Sequence, residues 1–139
     1  MERKRPLIAI VDDDESVRRA LERVLRAAGM DAETYSCGRD LVADVARLDP
    51  DCVVLDLQMP GLDGFETQAR LTEASCGIPI VVLTAHEGEG ASDRAIRAGA
   101  AAFLQKPVDS RILLDAVITA IERRKRAADR PAASEGPTR

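Results

Sequence analysis

Short apolar segments alternate with longer amphipathic segments along most of this chain. Residues 7–11, 52–55 and 80–83 are continuous apolar runs rich in Val, Ile and Leu, which is typical of strands buried on both faces of a sheet. Residues 101–104 and the weaker run at residues 32–36 complete the set. The pattern therefore predicts five strands.

Helices are predicted in the segments between these strands. The first spans residues 16–28, where Asp14 can cap its start and Gly29 stands where a C-cap glycine belongs. The second lies between Gly38 and Asp49. Its apolar spacing predicts these inward-facing positions: Leu41, Val42, Val45, Ala46 and Leu48.

Three further helices are predicted in the second half of the chain. One spans residues 64–74 with Phe65 and Leu71 inward, and a shorter one spans residues 92–98 and ends at Gly99. Asp109 can cap the last helix. Its inward-facing positions include Leu113, Val117, Ala120 and Ile121.

Five strands alternating with five helices predict an α/β fold. Short connections of this kind call for parallel strands with right-handed crossovers, and therefore for a doubly wound sheet with helices on both faces. We expect a five-stranded, flavodoxin-like sheet with strand order 2-1-3-4-5. The domain is expected to cover residues 6–126, and residues 127–139 lack apolar periodicity and are expected to form a disordered tail or the start of a linker.

Composition narrows the classes of protein that this chain can represent. With 139 residues and 45% hydrophobic content, one domain is expected, and 2% aromatic content predicts an aliphatic core. No apolar run approaches the roughly 20 residues of a membrane span, so we expect a cytoplasmic chain that does not contact a membrane. The net charge of −4 does not favour direct nucleic-acid binding, and the basic run at residues 123–126 is interpreted as a solvated helix end.

Polar side chains follow four of the predicted strands at the point where each strand ends. Asp12 and Asp13 follow the first strand, Asp56 the third, Thr84 the fourth and Lys106 the fifth. The carboxyl ends of parallel strands meet at one edge of the sheet, which is where ligands bind in open α/β sheets. We therefore expect these five side chains to lie close together.

The predicted cluster has a clear chemical preference. Three adjacent carboxylates repel one another unless a cation is present, and Mg²⁺ suits oxygen ligands of this kind. Lys106 and Thr84 would supply a positive charge and a donor for an oxyanion. The site therefore predicts phosphoryl chemistry, in which the central Asp56 attacks phosphorus and forms an acyl phosphate.

The chain resembles a bacterial response-regulator receiver domain over roughly residues 6–126. Four segments carry the resemblance, and they occur in order at predicted strand ends. They are Val11-Asp12-Asp13, residues 56–64 (DLQMPGLDG), Thr84-Ala85, and Gly99-Ala100 through Phe103 to Lys106-Pro107. No output domain follows within the 139 residues.

The resemblance implies a role for each residue of the site. Asp56 would be the phosphoacceptor, and Lys106 and Thr84 would contact the phosphoryl group. The metal would be Mg²⁺, with Asp13 as a direct ligand and Asp12 holding metal-bound water. The remaining implied roles are Asp56 and the Gln58 carbonyl in the metal shell, Gln58 and His86 in modulating dephosphorylation, and Thr84 and Phe103 as switch residues.

The resemblance also implies a function and partners. The chain would be a phosphorylation-activated module of a two-component system rather than an enzyme acting on an external substrate. It would receive its phosphoryl group from a sensor histidine kinase or a phosphotransfer protein. The switched surface would bind a downstream output domain or protein, or a second copy of the chain, through the last helix–strand–helix face.

Simpler interpretations exist for several of these residues. Asp12 and Asp13 are compatible with helix capping, and a single Phe such as Phe103 in a strand is usually part of the core. His86 is the only histidine, and without the resemblance it would be interpreted as a solvated loop residue.

Two other functions share parts of the pattern. Asp12-x-Asp14 resembles the aspartate pair of haloacid-dehalogenase-type phosphatases, with Asp12 as nucleophile, although such an enzyme needs a cap and a longer chain. A flavodoxin-like electron carrier has the same strand order. It would need a phosphate-binding loop where this chain has three consecutive acids.

Overall fold

The predicted alternation of strands and helices is confirmed by the structure, a computed structural model that describes residues 5–57, 64–74, 77–85 and 91–128. Each of the ten elements begins and ends within one or two residues of its predicted position. The elements are β1 (Leu7–Val11), α1 (Glu15–Ala27), β2 (Asp31–Tyr35), α2 (Gly38–Leu48), β3 (Cys52–Asp56), α3 (Gly64–Ala74), β4 (Ile80–Thr84), α4 (Ala91–Arg97), β5 (Ala102–Gln105) and α5 (Ser110–Ala128).

The five strands form one parallel sheet in the order β2-β1-β3-β4-β5. The order places β1 and β3 side by side, so that the chain reverses its direction of winding between them. This is the doubly wound, flavodoxin-like sheet that the sequence predicts, and that prediction is confirmed. The carboxyl ends of β1, β3, β4 and β5 are consecutive along one edge.

Helices cover both faces of the sheet, and each face has its own hydrophobic cluster. Ile8 and Ile10 of β1 face α1 and α5, whereas Ala9 and Val11 face α2, α3 and α4. Successive side chains of a strand point to opposite faces, which explains why these central strands are apolar throughout. The largest fully buried side chains are mostly aliphatic, as expected.

The predicted helix caps are present. Asp14 accepts hydrogen bonds from the backbone N–H groups of Ser16 and Val17 at the start of α1, and Gly29 after that helix has φ of +89°, which favours glycine. Asp109 accepts a 2.7 Å bond from the N–H of Arg111. These contacts fix where α1 and α5 begin relative to the strand ends that precede them.

Two details differ from the expected packing. Ala46 is exposed rather than inward, because the buried stripe of α2 follows Leu41, Val45 and Leu48 and Ala46 lies one position round the helix. Helix α5 continues to Ala128, two residues beyond the predicted end of the domain.

Among the helices in the described ranges, none is long and apolar enough to cross a membrane.

Candidate functional site

The polar residues at the strand ends converge as predicted. Asp12 follows β1 directly, Asp56 and Thr84 are the last residues of β3 and β4, and Lys106 comes directly after β5. Asp56 is aligned with Leu83 on the neighbouring strand, so it lies one step before Thr84 in the register. Asp12, Asp56 and Thr84 are each at least 96% buried, which makes this edge a polar site set into the apolar sheet.

Three carboxylates form a compact cluster at this edge. One oxygen each from Asp12, Asp13 and Asp56 lies within 4.8 Å of the others. Asp12 and Asp56 are buried, whereas Asp13 is exposed. The cluster is therefore open to solvent on the side of Asp13.

Lys106 places a positive charge beside two of these carboxylates. Its Nζ donates a 2.7 Å hydrogen bond to Oδ2 of Asp12 and lies 3.5 Å from Oδ2 of Asp56. Burial alone would lower the pKa of Lys106, but the hydrogen bond to Asp12 and the charges of both aspartates outweigh it and raise the pKa. The ammonium is therefore held in its charged form beside Asp56.

The donor set fits Mg²⁺. All three side chains offer hard carboxylate oxygens, and a solvent-facing ligand leaves room for the waters that Mg²⁺ retains. One lysine does not balance three carboxylates, so a divalent cation would relieve the remaining repulsion. Gln58, whose carbonyl was expected to complete the shell, lies outside the described residues, as does His86.

Thr84 and Phe103 lie on the same face of the sheet. Phe103 of β5 is aligned with Val82, and Thr84 with Gln105, so the two side chains are one pleat apart on adjacent strands. Phe103 is half-buried against the cluster that faces α2, α3 and α4. The Thr84 carbonyl accepts a 2.8 Å bond from the Lys106 N–H, which ties β4 to the lysine.

One contact at this edge was missed by the sequence reasoning. Nη1 of Arg18, on α1, donates a 2.8 Å hydrogen bond to the carbonyl of Asp12. Arg18 carries no motif signal, and its neighbour Arg19 is the same residue type. Only the direction in which each side chain leaves the helix distinguishes them.

The sequence model of the response regulator receiver domain matches residues 8–118. The chain belongs to this family. Receiver domains are phosphorylation-activated signalling modules of two-component systems, and the family also explains the acidic cluster, since its members generally bind Mg²⁺ through acidic residues. The resemblance seen in the sequence is confirmed.

Curated relatives share about a third of their residues with this chain. Nodulation protein W of Bradyrhizobium diazoefficiens is 35% identical over 130 residues, which is 92% of this chain and 57% of that protein. The DNA-binding transcriptional regulator NtrC of Salmonella typhimurium is 33% identical over 86% of this chain and 25% of its own length. The chain thus spans between a quarter and three fifths of these two relatives.

Solved structures of response regulators have the same fold. The response regulator StyR is 41% identical with a TM-score of 0.79, covering 89% of this chain and 63% of that one. The receiver domain of a modulated diguanylate cyclase from Desulfovibrio desulfuricans is 31% identical with a TM-score of 0.82, covering 89% of this chain and 99% of that one.

Proposed function

We propose that Asp56 accepts a phosphoryl group from a phosphohistidine of a sensor histidine kinase or phosphotransfer protein. The observation that carries this proposal is the position of Asp56, whose carboxylate lies within 4.8 Å of oxygens of Asp12 and Asp13 and 3.5 Å from the Lys106 ammonium. An oxygen of Asp56 attacks phosphorus, the P–N bond breaks as the O–P bond forms, and the imidazole keeps the electron pair and takes a proton.

Asp56 suits the role of nucleophile better than Asp12, its buried neighbour. Both carboxylate oxygens of Asp12 already accept hydrogen bonds, Oδ1 from the N–H of Asp14 at 3.0 Å and Oδ2 from Lys106 at 2.7 Å. The 2.7 Å bond from Lys106 withdraws charge from Asp12 more strongly than the 3.5 Å contact does from Asp56, which makes Asp12 the weaker nucleophile. Asp12 is better placed to hold the lysine and the metal shell.

The other residues of the site assist the transfer by charge. Mg²⁺, held by Asp12, Asp13, Asp56 and the Gln58 carbonyl, would neutralise phosphoryl oxygens. Lys106 and the Thr84 hydroxyl are proposed to contact the same oxygens from the other side. Gln58 and His86 are proposed to influence the water that later hydrolyses the acyl phosphate.

The proposal describes one phosphoryl group per chain rather than turnover of an external substrate. It places the exchange in the cytoplasm and expects the phosphorylated chain to act on an output domain, a separate output protein or a second copy. The switched surface is proposed to be the face formed by α4, β5 and α5. Thr84 and Phe103 connect that face to the site.

Intact mass after incubation with acetyl phosphate and Mg²⁺ tests the proposal. The parent should gain one phosphoryl group and Asp56→Asn none, because the amide keeps the shape but is not a nucleophile. Asp115→Asn is the matched control, since Asp115 is an exposed acid on α5, and it should label like the parent. Full labelling of Asp56→Asn would refute the assignment, and release of phosphate without a labelled chain would favour a phosphatase.

A further inference from the structure

The hydrogen-bonding groups of Asp12 are tied to four different parts of the chain. Its N–H donates to the Tyr35 carbonyl of β2 at 3.1 Å. Its carboxylate accepts from the Asp14 N–H at 3.0 Å and from Lys106 at 2.7 Å, and its carbonyl accepts from Arg18 at 2.8 Å. Of these contacts, the one from Arg18 is the only one that acts on the peptide leading into Asp13.

That peptide determines where the Asp13 carboxylate points. The carbonyl of Asp12 and the nitrogen of Asp13 share one rigid plane, so a donor that fixes the carbonyl also fixes that nitrogen, while the Asp14 N–H bond to Oδ1 of Asp12 holds the backbone on the other side of Asp13. Within the described ranges, the Asp13 carboxylate itself makes no hydrogen bond or ion pair. The orientation of the Asp13 carboxylate therefore depends on the backbone.

Arg18 is suited to this task in a way that Arg19 is not. Arg18 is half-buried on α1, and its guanidinium reaches back across the first turn of the helix to the strand end. Arg19 is 70% exposed and pairs with Glu15 at 2.9 Å. Exposed pairs of that kind contribute little to stability. The two adjacent arginines have the same chemistry, and only their locations differ.

We propose that Arg18 is a positioning residue, which orients the Asp12–Asp13 peptide and so presents the Asp13 carboxylate to a divalent cation. The inference rests on the proposed role of Asp13 as a metal ligand. Arg18 touches neither the metal nor the phosphoryl group in this role, and it acts through the Asp12 carbonyl.

The direction in which Mg²⁺ affinity changes when Arg18 is removed distinguishes a positioning role from a purely electrostatic one. If Arg18 acted only as a cation near three carboxylates, its removal would increase the local negative potential and tighten Mg²⁺ binding. If it positions Asp13, its removal weakens Mg²⁺ binding, because the ligand is no longer held in place. Residues that orient metal ligands in this way are typically worth about tenfold or more in affinity.

Calorimetric titration of the full chain with Mg²⁺, and with Mn²⁺ as a second probe, tests the proposal. Arg18→Met keeps the apolar stem and should bind about tenfold more weakly than the parent. Arg18→Lys keeps the charge and one donor and should recover part of the loss. Arg19→Met is the matched control and should bind like the parent. Unchanged or tighter binding by Arg18→Met would overturn the proposal.

A second measurement needs neither metal nor phosphorylation. Amide hydrogen exchange of Asp14, whose N–H donates to Oδ1 of Asp12, should be faster in metal-free Arg18→Met than in the parent or in Arg19→Met, with the strand amides unchanged. If Arg18→Met fails to fold, the same comparison is made with Arg18→Ala, which also lacks the donor, and parent-like exchange there together with parent-like Mg²⁺ affinity would overturn the proposal. Neither readout depends on which carboxylate is phosphorylated, so a failure of the Asp56 assignment remains distinguishable.

Discussion

Lys106 and Asp12 are 94 residues apart in the sequence and form a 2.7 Å ion pair in the site. Their side chains are 18% and 2% exposed, so neither charge is solvated as it would be on the surface. The pair joins the end of β1 to the end of β5, across the two strands that lie between them. A phosphoryl group on Asp56 would compete with Asp12 for the same ammonium.

Lys106→Met should therefore change both stability and metal binding. Removing one partner of a buried pair leaves Asp12 uncompensated and should cost about 2 kcal/mol or more in the free energy of unfolding. The variant should bind Mg²⁺ more tightly, because three carboxylates then lack their lysine, and saturating Mg²⁺ should restore more stability to the variant than it adds to the parent. Urea unfolding with and without Mg²⁺ measures both effects. Equal stabilisation of parent and variant would show that Lys106 does not neutralise the cluster.

Asp13→Ala should have the opposite effects on stability and Mg²⁺ affinity to those of Lys106→Met. Its carboxylate is exposed and repels Asp12 and Asp56, so its removal should leave the metal-free chain as stable as the parent or more stable. Mg²⁺ affinity should fall, since the solvent-facing ligand is lost. Asp115→Ala removes an exposed acid far from the site and should leave both quantities unchanged. Mg²⁺ affinity equal to that of the parent would count against Asp13 as a ligand.

Stability at alkaline pH should reveal the buried thiol of Cys52. Burial raises the pKa of Cys52 to about 12, whereas a thiol in the unfolded chain ionises near pH 8.5, about its ordinary value. Above that pH the unfolded chain binds fewer protons than the folded one. The free energy of unfolding should therefore decline by about 1.4 kcal/mol per pH unit from this group up to its folded pKa.

Comparing the alkaline decline in the free energy of unfolding between the parent and Cys52→Ala separates Cys52 from other groups that titrate in the same pH range. Burial and the hydrogen bond to Asp44 raise the pKa of Tyr35, and the pKa of Lys106 is also raised, so both add to the alkaline decline in every variant. Urea unfolding between about pH 8.5 and 11 should give a shallower decline in Cys52→Ala than in the parent. Cys37→Ala removes a thiol outside the core, and if its decline were equally shallow the account of Cys52 would be wrong.

The sheet and the strand-end cluster were predictable because they follow from short-range patterns. An apolar run that ends in Asp12 or Asp56 identifies a strand and its end together, and parallel topology then brings the ends to one edge. Thr84 and Lys106 were found by the same rule. The rule needs only the order of elements, which alternating patterns give reliably in this chain.

Contacts between helices were not predictable in this way. Gln68 of α3 is fully buried although glutamine is usually exposed, and its Nε2 donates a 3.0 Å bond to the Ala95 carbonyl of α4. Arg18 was missed for the same reason. In each case the partner is a backbone carbonyl, which has no signature in the sequence.

Gly64 illustrates a constraint that links α3 to the site. A Cβ at Gly64 would overlap the backbone of Leu57, the residue after Asp56. Gly64→Ala should therefore cost about 2 kcal/mol in the free energy of unfolding and should slow labelling of Asp56 by displacing its neighbour. Gly29→Ala has open space around its Cβ and should cost about 1 kcal/mol through its positive φ alone, with labelling unchanged. If Gly64→Ala is destabilised but is labelled like the parent, the packing of α3 does not influence phosphorylation of Asp56.

The switch is best tested at Phe103, because Thr84 and Phe103 lie one pleat apart on adjacent strands. Thr84 is already 99% buried, so a contact with a phosphoryl group requires its hydroxyl to reorient rather than to travel from the surface. Phe103 is only half-buried, so its ring can become more buried when the Thr84 hydroxyl reorients. A local charge at Asp56 would in this way bias a packed element that has two arrangements.

Beryllofluoride, a stable phosphate mimic, should therefore shift the Phe103 ring signals and the amide signals of β5 and α5. Phe103→Leu keeps an apolar side chain but lacks the ring, so it should bind the mimic while the shifts on β5 and α5 shrink. Phe65→Leu is the matched control, since Phe65 is the other phenylalanine and lies on α3, and it should retain those shifts. The competing explanation is that phosphorylation is read directly as charge near the site. Shifts confined to the neighbours of Asp56, with partner binding still altered, would support direct charge readout and refute the aromatic switch.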